Sequence, residues 1–341
     1  MNALGQPLFG ALIDRLGPRR LILPSMALMA LGTGLVSLVQ APWQIILLYG
    51  VIASVGNTGA GILPISVHVS RWFPRERGGV MAVAASGFSL GHLVFTQVAA
   101  HAALALGWRR TYALLALTLA AFLVVIAAWL RDAPRGAARP GGGPAISTRS
   151  GSLDRRAALG TPAFWAMTGG LMGCGFTDFL MTTHLAPFAT DLGLSPVVAA
   201  NALSLFAAAN IAGILLAGSL AGRIGARRAL VATYLLRATS LFLLLGVRNT
   251  WQLYLFAVLF GATFFTTAPL SATLVGGLFG LTHQGTIFGA ANLFHHTAGA
   301  LGAYAGGLTF DLARTYAPIF LLSAVVVVGS AAVTALARPP R

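Results

Sequence analysis

The chain has 341 residues, 57% of them hydrophobic and only 9% charged, with a mean hydropathy of +0.82 and a formal net charge of +15. A water-soluble domain carries about a quarter of its residues as charges, so this chain cannot cover its surface in water and reads as an all-α membrane protein. All 22 basic residues are Arg, clustered between apolar runs, so the charge reports topology and not nucleic-acid binding.

In chain order, Met1 to Ile13 form an apolar stretch too short to cross a bilayer, which needs about 20 residues of helix. The stretch leads into a basic turn, GALIDRLGPRR, from Gly10 to Arg20. Four spans follow at 21–40, 43–69, 80–105 and 110–130, the second and third separated by RWFPRERGG. Between Arg131 and Gly160 hydrophobicity collapses into a Gly, Pro, Ser and Arg-rich stretch that reads as a flexible linker. Six more spans lie at 162–188, 197–221, 229–247, 251–278, 284–308 and 315–336. The total is ten full transmembrane helices plus a partial one. One set of connections, together with the C-terminus, carries 17 of the 22 Arg residues, which makes that side cytoplasmic and the chain a multi-pass protein of the inner (cytoplasmic) membrane. No cleavable signal peptide is evident. The single cysteine, Cys174, lies in an apolar run and forms no intrachain disulfide.

The basic turn occurs twice. GSLAGRIGARR, from Gly218 to Arg228, repeats six of the eleven positions of the first copy, with Gly222 in place of Asp14. FPRERGG (73–79) and FGLTHQG (279–285) echo each other, each following its own copy of the basic turn and each introducing a Gly-rich helix. Two copies in one orientation predict parallel repeats with a substrate path between them. The domains are an incomplete N-terminal helical bundle at 1–130, a cytoplasmic linker at 131–160 and a C-terminal six-helix bundle at 161–341. Two spans lead into the second basic turn but only Met1 to Ile13 into the first. The first helix is therefore expected to be missing, through an upstream start or a truncation.

These residues carry a resemblance. Gly10, Leu12, Asp14, Arg15, Gly17, Arg19 and Arg20 match the loop pattern between helices two and three of the major facilitator superfamily of secondary transporters. The second copy, with Gly218, Arg223, Gly225, Arg227 and Arg228, resembles that family's degenerate repeat. RWFPRERGGVMAVAASG, THLAPFATDLGLS, YLLRA and GTIFGAANLFHHTAGALGAYAGGLTFD look most like its bacterial monocarboxylate-porter-like and oxalate/formate-antiporter-like branch. The resemblance implies the major facilitator fold of two pseudo-symmetric bundles, with the ten spans as helices three to twelve. It also implies a cytoplasmic gate in which Asp14 pairs with Arg15 and Arg19 and meets the N-terminus of a helix in the other half.

Charges at membrane depth cost about 2.5–3.5 kcal/mol each on insertion scales, so they normally face a cavity or a partner. Asp178 and Arg237 lie near span centres, with Asn57, Asn201, Asn210, Asn292, His92, Gln97, His184, His295 and His296 as neutral polar groups. The candidate substrate or proton site comprises Arg237, Asp178, His184, Asn210, Asn292, His295, His296 and Asn57. For Arg237, a two-pronged grip on a carboxylate competes with a structural pair to Asp178; a histidine near midplane can carry a proton. Gly87 and Gly91, Gly169 and Gly173, and Gly302 and Gly306 have the spacing that lets helices approach closely. No catalytic, cofactor or metal signature is present: His295 and His296 are adjacent, whereas two metal ligands on one helix face need i, i+4 spacing. The expected protein is a monomeric secondary transporter of a small organic anion, coupled to protons. The alternatives are an exporter of amphipathic drugs on the same fold or a transport-inactive truncated membrane protein.

Overall fold

The computed structural model describes residues 2–73, 76–132 and 154–338, all helix and connection among those described. The helices are α1 (Asn2–Leu16), α2 (Pro18–Val36), α3 (Pro42–Trp72), α4 (Arg77–Leu106), α5 (Trp108–Trp129) and the short α6 (Arg155–Leu159). They continue as α7 (Pro162–Asp191), α8 (Pro196–Ile224), α9 (Ala226–Leu245), α10 (Thr250–Gly261), α11 (Thr267–Phe279), α12 (Gln284–Ala313) and α13 (Ala317–Ala335). Six of the rods are long and apolar enough to cross a membrane by length and composition. The helices α4, α7 and α12 have 30 residues each but carry more polar and small residues.

Local chemistry sets the helix starts. Thr161, Ser195 and Asn249 each accept the backbone N–H three residues on, at 3.2, 3.3 and 3.0 Å, and Pro162 and Pro196 occupy the first helical position. The two basic turns share a left-handed glycine, Gly17 at φ 89° and Gly225 at φ 87°, a conformation only glycine adopts without strain. Asp132 places a carboxylate at the start of α2, accepting the Arg19 N–H at 2.9 Å.

The repeat read from the sequence is a repeat of structure. The offset of 208 residues between Gly10 and Gly218 (218 less 10) also separates Leu16 from Ile224, Pro18 from Ala226 and Pro42 from Thr250. On this register α1 matches the second half of α8. No counterpart of α7 lies among the described residues of the first repeat.

Two expected spans are interrupted. The span at 43–69 contains a π-helical stretch, Ile46–Ala53, and bends at Gly61. The span at 251–278 is two helices, with residues 262–266 in turn conformation between them. Bare backbone at membrane depth survives only where its polar groups are satisfied inside the protein, and those partners shape the site. The linker at 131–160 lies largely outside the described residues.

The core lies mainly in the second repeat, where α7 packs against α12 and α13, and α9 against α13 and α10. In the first repeat α2 packs on α5 and α3. The repeats join through α1 on α12 and α4 on α8.

Candidate functional site

Arg237 is fully buried, at 0% exposure, and every one of its nitrogens is engaged. Its Nη1 donates to Asp178 Oδ1 at 2.7 Å, to Cys174 Sγ at 3.1 Å and to Thr177 Oγ1 at 3.3 Å. Its Nε donates to Thr263 Oγ1 at 3.2 Å, and Nη2 donates to the carbonyls of Thr263 and Phe264, the latter at 2.9 Å. Those carbonyls belong to the break between α10 and α11. The guanidinium therefore does for the broken helix what a cation does at any helix C-terminus, satisfying carbonyls that have lost their intrahelical partners. Asp178 neutralises it, and its second oxygen accepts from Cys174 Sγ at 3.2 Å. Of the two readings open for Arg237, a grip on a carboxylate or a pair with Asp178, the pair is the one formed here, and every guanidinium nitrogen already has a partner. The pair with Asp178 is a tie between α7, α9 and the break.

The same break is held from the other side. Asn210 on α8 accepts the Phe265 backbone N–H through Oδ1 at 3.1 Å and donates through Nδ2 to Ser89 Oγ on α4 at 2.9 Å. Phe265 also stacks on Phe88 of α4, ring centroids 4.1 Å apart and 8° from parallel.

The histidines divide into two kinds. His184 has both ring nitrogens occupied, Nε2 with the Ala303 carbonyl at 2.9 Å and Nδ1 with the Tyr316 hydroxyl at 3.4 Å. It stitches α7 to α12 and to the start of α13. His295 and His296 are half-buried, their rings 5.1 Å apart. Each has only Nδ1 engaged, His295 with the Leu171 carbonyl at 3.0 Å and His296 with the Asn292 carbonyl at 2.9 Å. A carbonyl partner requires Nδ1 to carry the hydrogen, which puts the lone pair on Nε2, without a hydrogen-bond partner among the described residues. His296 continues the face of α12 that runs through Gly285, Gly289 and Asn292, the face that meets α1. The Asn292 amide donates to its own helix, at Phe288 O, 3.0 Å. Asn57 is exposed on α3, and Asn201 donates to the Tyr254 hydroxyl at 3.4 Å. The side chains of His92 and Gln97 lie outside the described residues.

At the Arg-rich end the first repeat is fastened to the second. Asp14 accepts from the backbone N–H of Gly285 at 3.1 Å and of Thr286 at 2.7 Å, and from Thr286 Oγ1 at 2.8 Å. A carboxylate on the first N–H groups of α12 is favoured by both hydrogen bonding and the helix dipole. Among the described residues the cation paired with Asp14 is Arg71, at 3.9 Å, which corrects the expectation that Arg15 and Arg19 pair with it. Arg19 donates instead to the Ala127 carbonyl at 3.0 Å, and Arg15 and Arg20 are exposed. Gly10 sits where α1 and α12 touch: a Cβ there would overlap the Gly285 carbonyl. In the second copy, Gly218 lies on α8, Arg227 donates to the Ala337 carbonyl at 3.3 Å, and Arg223 and Arg228 are exposed. At Gly222, the counterpart of Asp14, a Cβ would meet no atom of the described residues within 4 Å. Gln284 adds a second tie, donating to Ser70 Oγ at 3.2 Å and to the Ala272 carbonyl at 3.1 Å.

Ser70, Ser89, Thr263, Gln284 and Thr286 escaped the sequence reading. Short neutral polar side chains are common in membrane helices. Only Gln284 lay within a stretch the sequence singled out as a repeat, FGLTHQG.

Two repeated helical bundles, fastened at one end by side chains from both, define a membrane carrier of the two-bundle type. The chain belongs to the Major Facilitator Superfamily, whose sequence profile matches residues 1–200 and again 171–341. It is 28% identical over 306 residues to the uncharacterised MFS-type transporter YcxA of Bacillus subtilis, covering 85% of this chain and 71% of that one. Its fold is similar to that of the human organic anion transporter MFSD10, with a TM-score of 0.74 and 18% identity over 98% of this chain and 80% of the other. It is similar too to the fucose:proton symporter FucP of E. coli, with a TM-score of 0.71 and 15% identity over 98% and 88%. At such identities the two structures establish the fold alone.

Proposed function

We propose that the protein is a secondary active transporter that carries a small, monocarboxylate-like organic anion across the inner membrane by alternating access, with proton coupling. Residues 1–130 and 161–341 act as the two moving bundles of a monomer, joined by 131–160, with the Arg-rich side and the C-terminus in the cytoplasm. One observation carries the reading. The side-chain ties between the repeats, Asp14 to α12, Gln284 to Ser70 and Asn210 to Ser89, run from the Arg-rich end to mid-membrane. That is the pattern of a carrier shut on one side. His295 and His296 supply the chemistry: protonated at Nε2, either is a cation for a carboxylate, and loss of that proton releases the anion. Asn57 and Asn292 supply neutral hydrogen bonds along the path, and Asn210 ties α8 to α4 beside it. Asp178 and Arg237 hold the second bundle in the shape the site needs.

A second reading has an observation of its own. With Arg237 tied to Asp178 and aromatic Phe88 and Phe265 meeting between the bundles, the interior is charge-poor, which suits an exporter of amphipathic compounds on the same fold. Uptake by purified protein in liposomes separates the two. An inward proton gradient is expected to drive labelled pyruvate or lactate into the vesicles, and His295→Gln with His296→Gln to abolish the dependence on the gradient. Gradient-driven movement of a lipophilic dye with no carboxylate flux would establish the exporter reading instead.

A further inference from the structure

The break at residues 262–266 lies near the middle of its rod, with twelve residues in α10 before it and thirteen in α11 after it. Two independent groups of side chains hold it. From within the second repeat, Arg237 satisfies the Thr263 and Phe264 carbonyls. From α8, Asn210 satisfies the Phe265 N–H, and the same amide reaches across to Ser89 of the first repeat. Asn210 and Ser89 are both buried, at 3% and 2% exposure, so neither finds water as a substitute partner. The Phe88–Phe265 stack brings a second contact from the first repeat onto the same backbone segment. One primary amide thus bridges the opposite bundle and the unwound backbone, which is the geometry of a coupling element and more than a packing polar group requires.

We infer that Asn210 is a positioning residue through which the opposite bundle fixes the helix break: while its amide is bonded to Ser89, the 262–266 backbone is held in the conformation that Arg237 caps. When the bundles part, Ser89 and Phe88 leave together, the amide loses its anchor, and the break is free to change shape beside Asp178. The inference rests on the alternating-access reading but assigns these residues a role that substrate chemistry does not require.

The protein contains its own reporter. Cys174, the single cysteine, is fully buried against the break, its Sγ 3.0 Å from Thr267 Oγ1, the first residue after it, and 3.1 Å from Arg237 Nη1. The test is the rate at which methyl methanethiosulfonate modifies Cys174 in the full chain in liposomes. Ser89→Ala removes one hydroxyl from the first repeat, far from Cys174 in sequence. It is expected to raise the rate about two- to tenfold, the equilibrium factor of one neutral hydrogen bond. Ser89→Thr, which keeps the hydroxyl, is expected to restore it, and adding Ser89→Ala to Asn210→Leu is expected to have no further effect. A rate unchanged by Ser89→Ala while Asn210→Leu raises it would make Asn210 a local cap only and overturn the inference. Carboxylate uptake measured on the same vesicles keeps the two ideas apart. Absent uptake with Ser89-dependent labelling would count against the transport reading and leave the link between Ser89 and the break standing.

Discussion

Arg237 shows how an ionic group is tolerated at membrane depth and what its removal would cost. Its charge is cancelled by Asp178 at 2.7 Å and its Nη2 donates to carbonyls that the helix break has stripped of partners. Replacing one member of a buried pair strands the other, at about 3–5 kcal/mol. Arg237→Met and Asp178→Asn are each expected to lower the melting temperature in detergent sharply. The double variant should recover only part of the loss, since the Thr263 and Phe264 carbonyls stay uncapped. Full recovery would mean that the guanidinium caps nothing. Asp14 makes a prediction of a different kind, because it lies outside the spans, at the Arg-rich end. Burial raises its pKa above the ordinary 3.8, against the lowering effects of its bonds to Thr286 and Gly285 and of Arg71. By linkage the fastened state binds the proton more tightly than an open one, where the carboxylate is in water. Fastening is therefore strongest below pH 3.8 and weakens as pH rises through the raised value. Spin labels across the Arg-rich end should show the close population growing as pH falls in that window, and Asp14→Asn should remove the dependence. Asp178 and Arg237 stood out in the sequence because charges are rare inside spans, and their pairing was one of two legible outcomes. The capping role was hidden, since nothing in ATFFTT (262–267) breaks a helix by composition. His184 and His296 looked alike until the partners of both ring nitrogens were known.

Glycine spacing carried less information than glycine contact at the level of the elements. Gly87 and Gly91 repeat at the same interval as Gly302 and Gly306. A Cβ on either of the first pair meets nothing, whereas on the second pair it would collide with Phe176 or with Leu180 and His184. Spacing marks a possible seam; which helix lies across it is a tertiary fact. The seam between α1 and α12 is the one with consequences for closure. Gly10 and Gly285 let two backbones touch, and a Cβ on Gly285 would lie 2.5 Å from Ile13 Cγ2. Overpacking of this kind costs about 1–3 kcal/mol. Gly285→Val should therefore separate the Arg-rich ends, seen as faster modification of a cysteine introduced at Ser70. Gly79→Ala and Gly222→Ala, which face open space, should leave that rate unchanged. The apolar runs between Arg clusters made the helices legible, as bilayer thickness requires, but not their limits: the run at 21–40 ends at Val36 and that at 284–308 continues to Ala313. The interruptions at 46–53 and 262–266 were not legible either, because the groups that satisfy them lie on other helices.

The repeat organises the whole molecule. One offset of 208 residues relates the two basic turns, their left-handed glycines and the helix starts at Pro18 and Ala226 and at Pro42 and Thr250, and it was visible in eleven residues of sequence. The symmetry is broken at the Arg-rich end. Asp14 grips α12, while among the described residues a Cβ at its counterpart Gly222, or at Gly79 near the start of α4, meets nothing within 4 Å. A carboxylate clasp present in one copy of a two-fold repeat suits a joint that must open. The distance between spin labels at Arg15 and Arg223 on the Arg-rich side, read alongside a pair at Trp108 and Arg248 on the other, tests this most directly in liposomes. All four positions are exposed. An alternating carrier predicts two populations at each pair, with the first pair lengthening as the second shortens when a transported carboxylate is added. A single distance at each pair, unmoved by substrate or pH, would contradict the account.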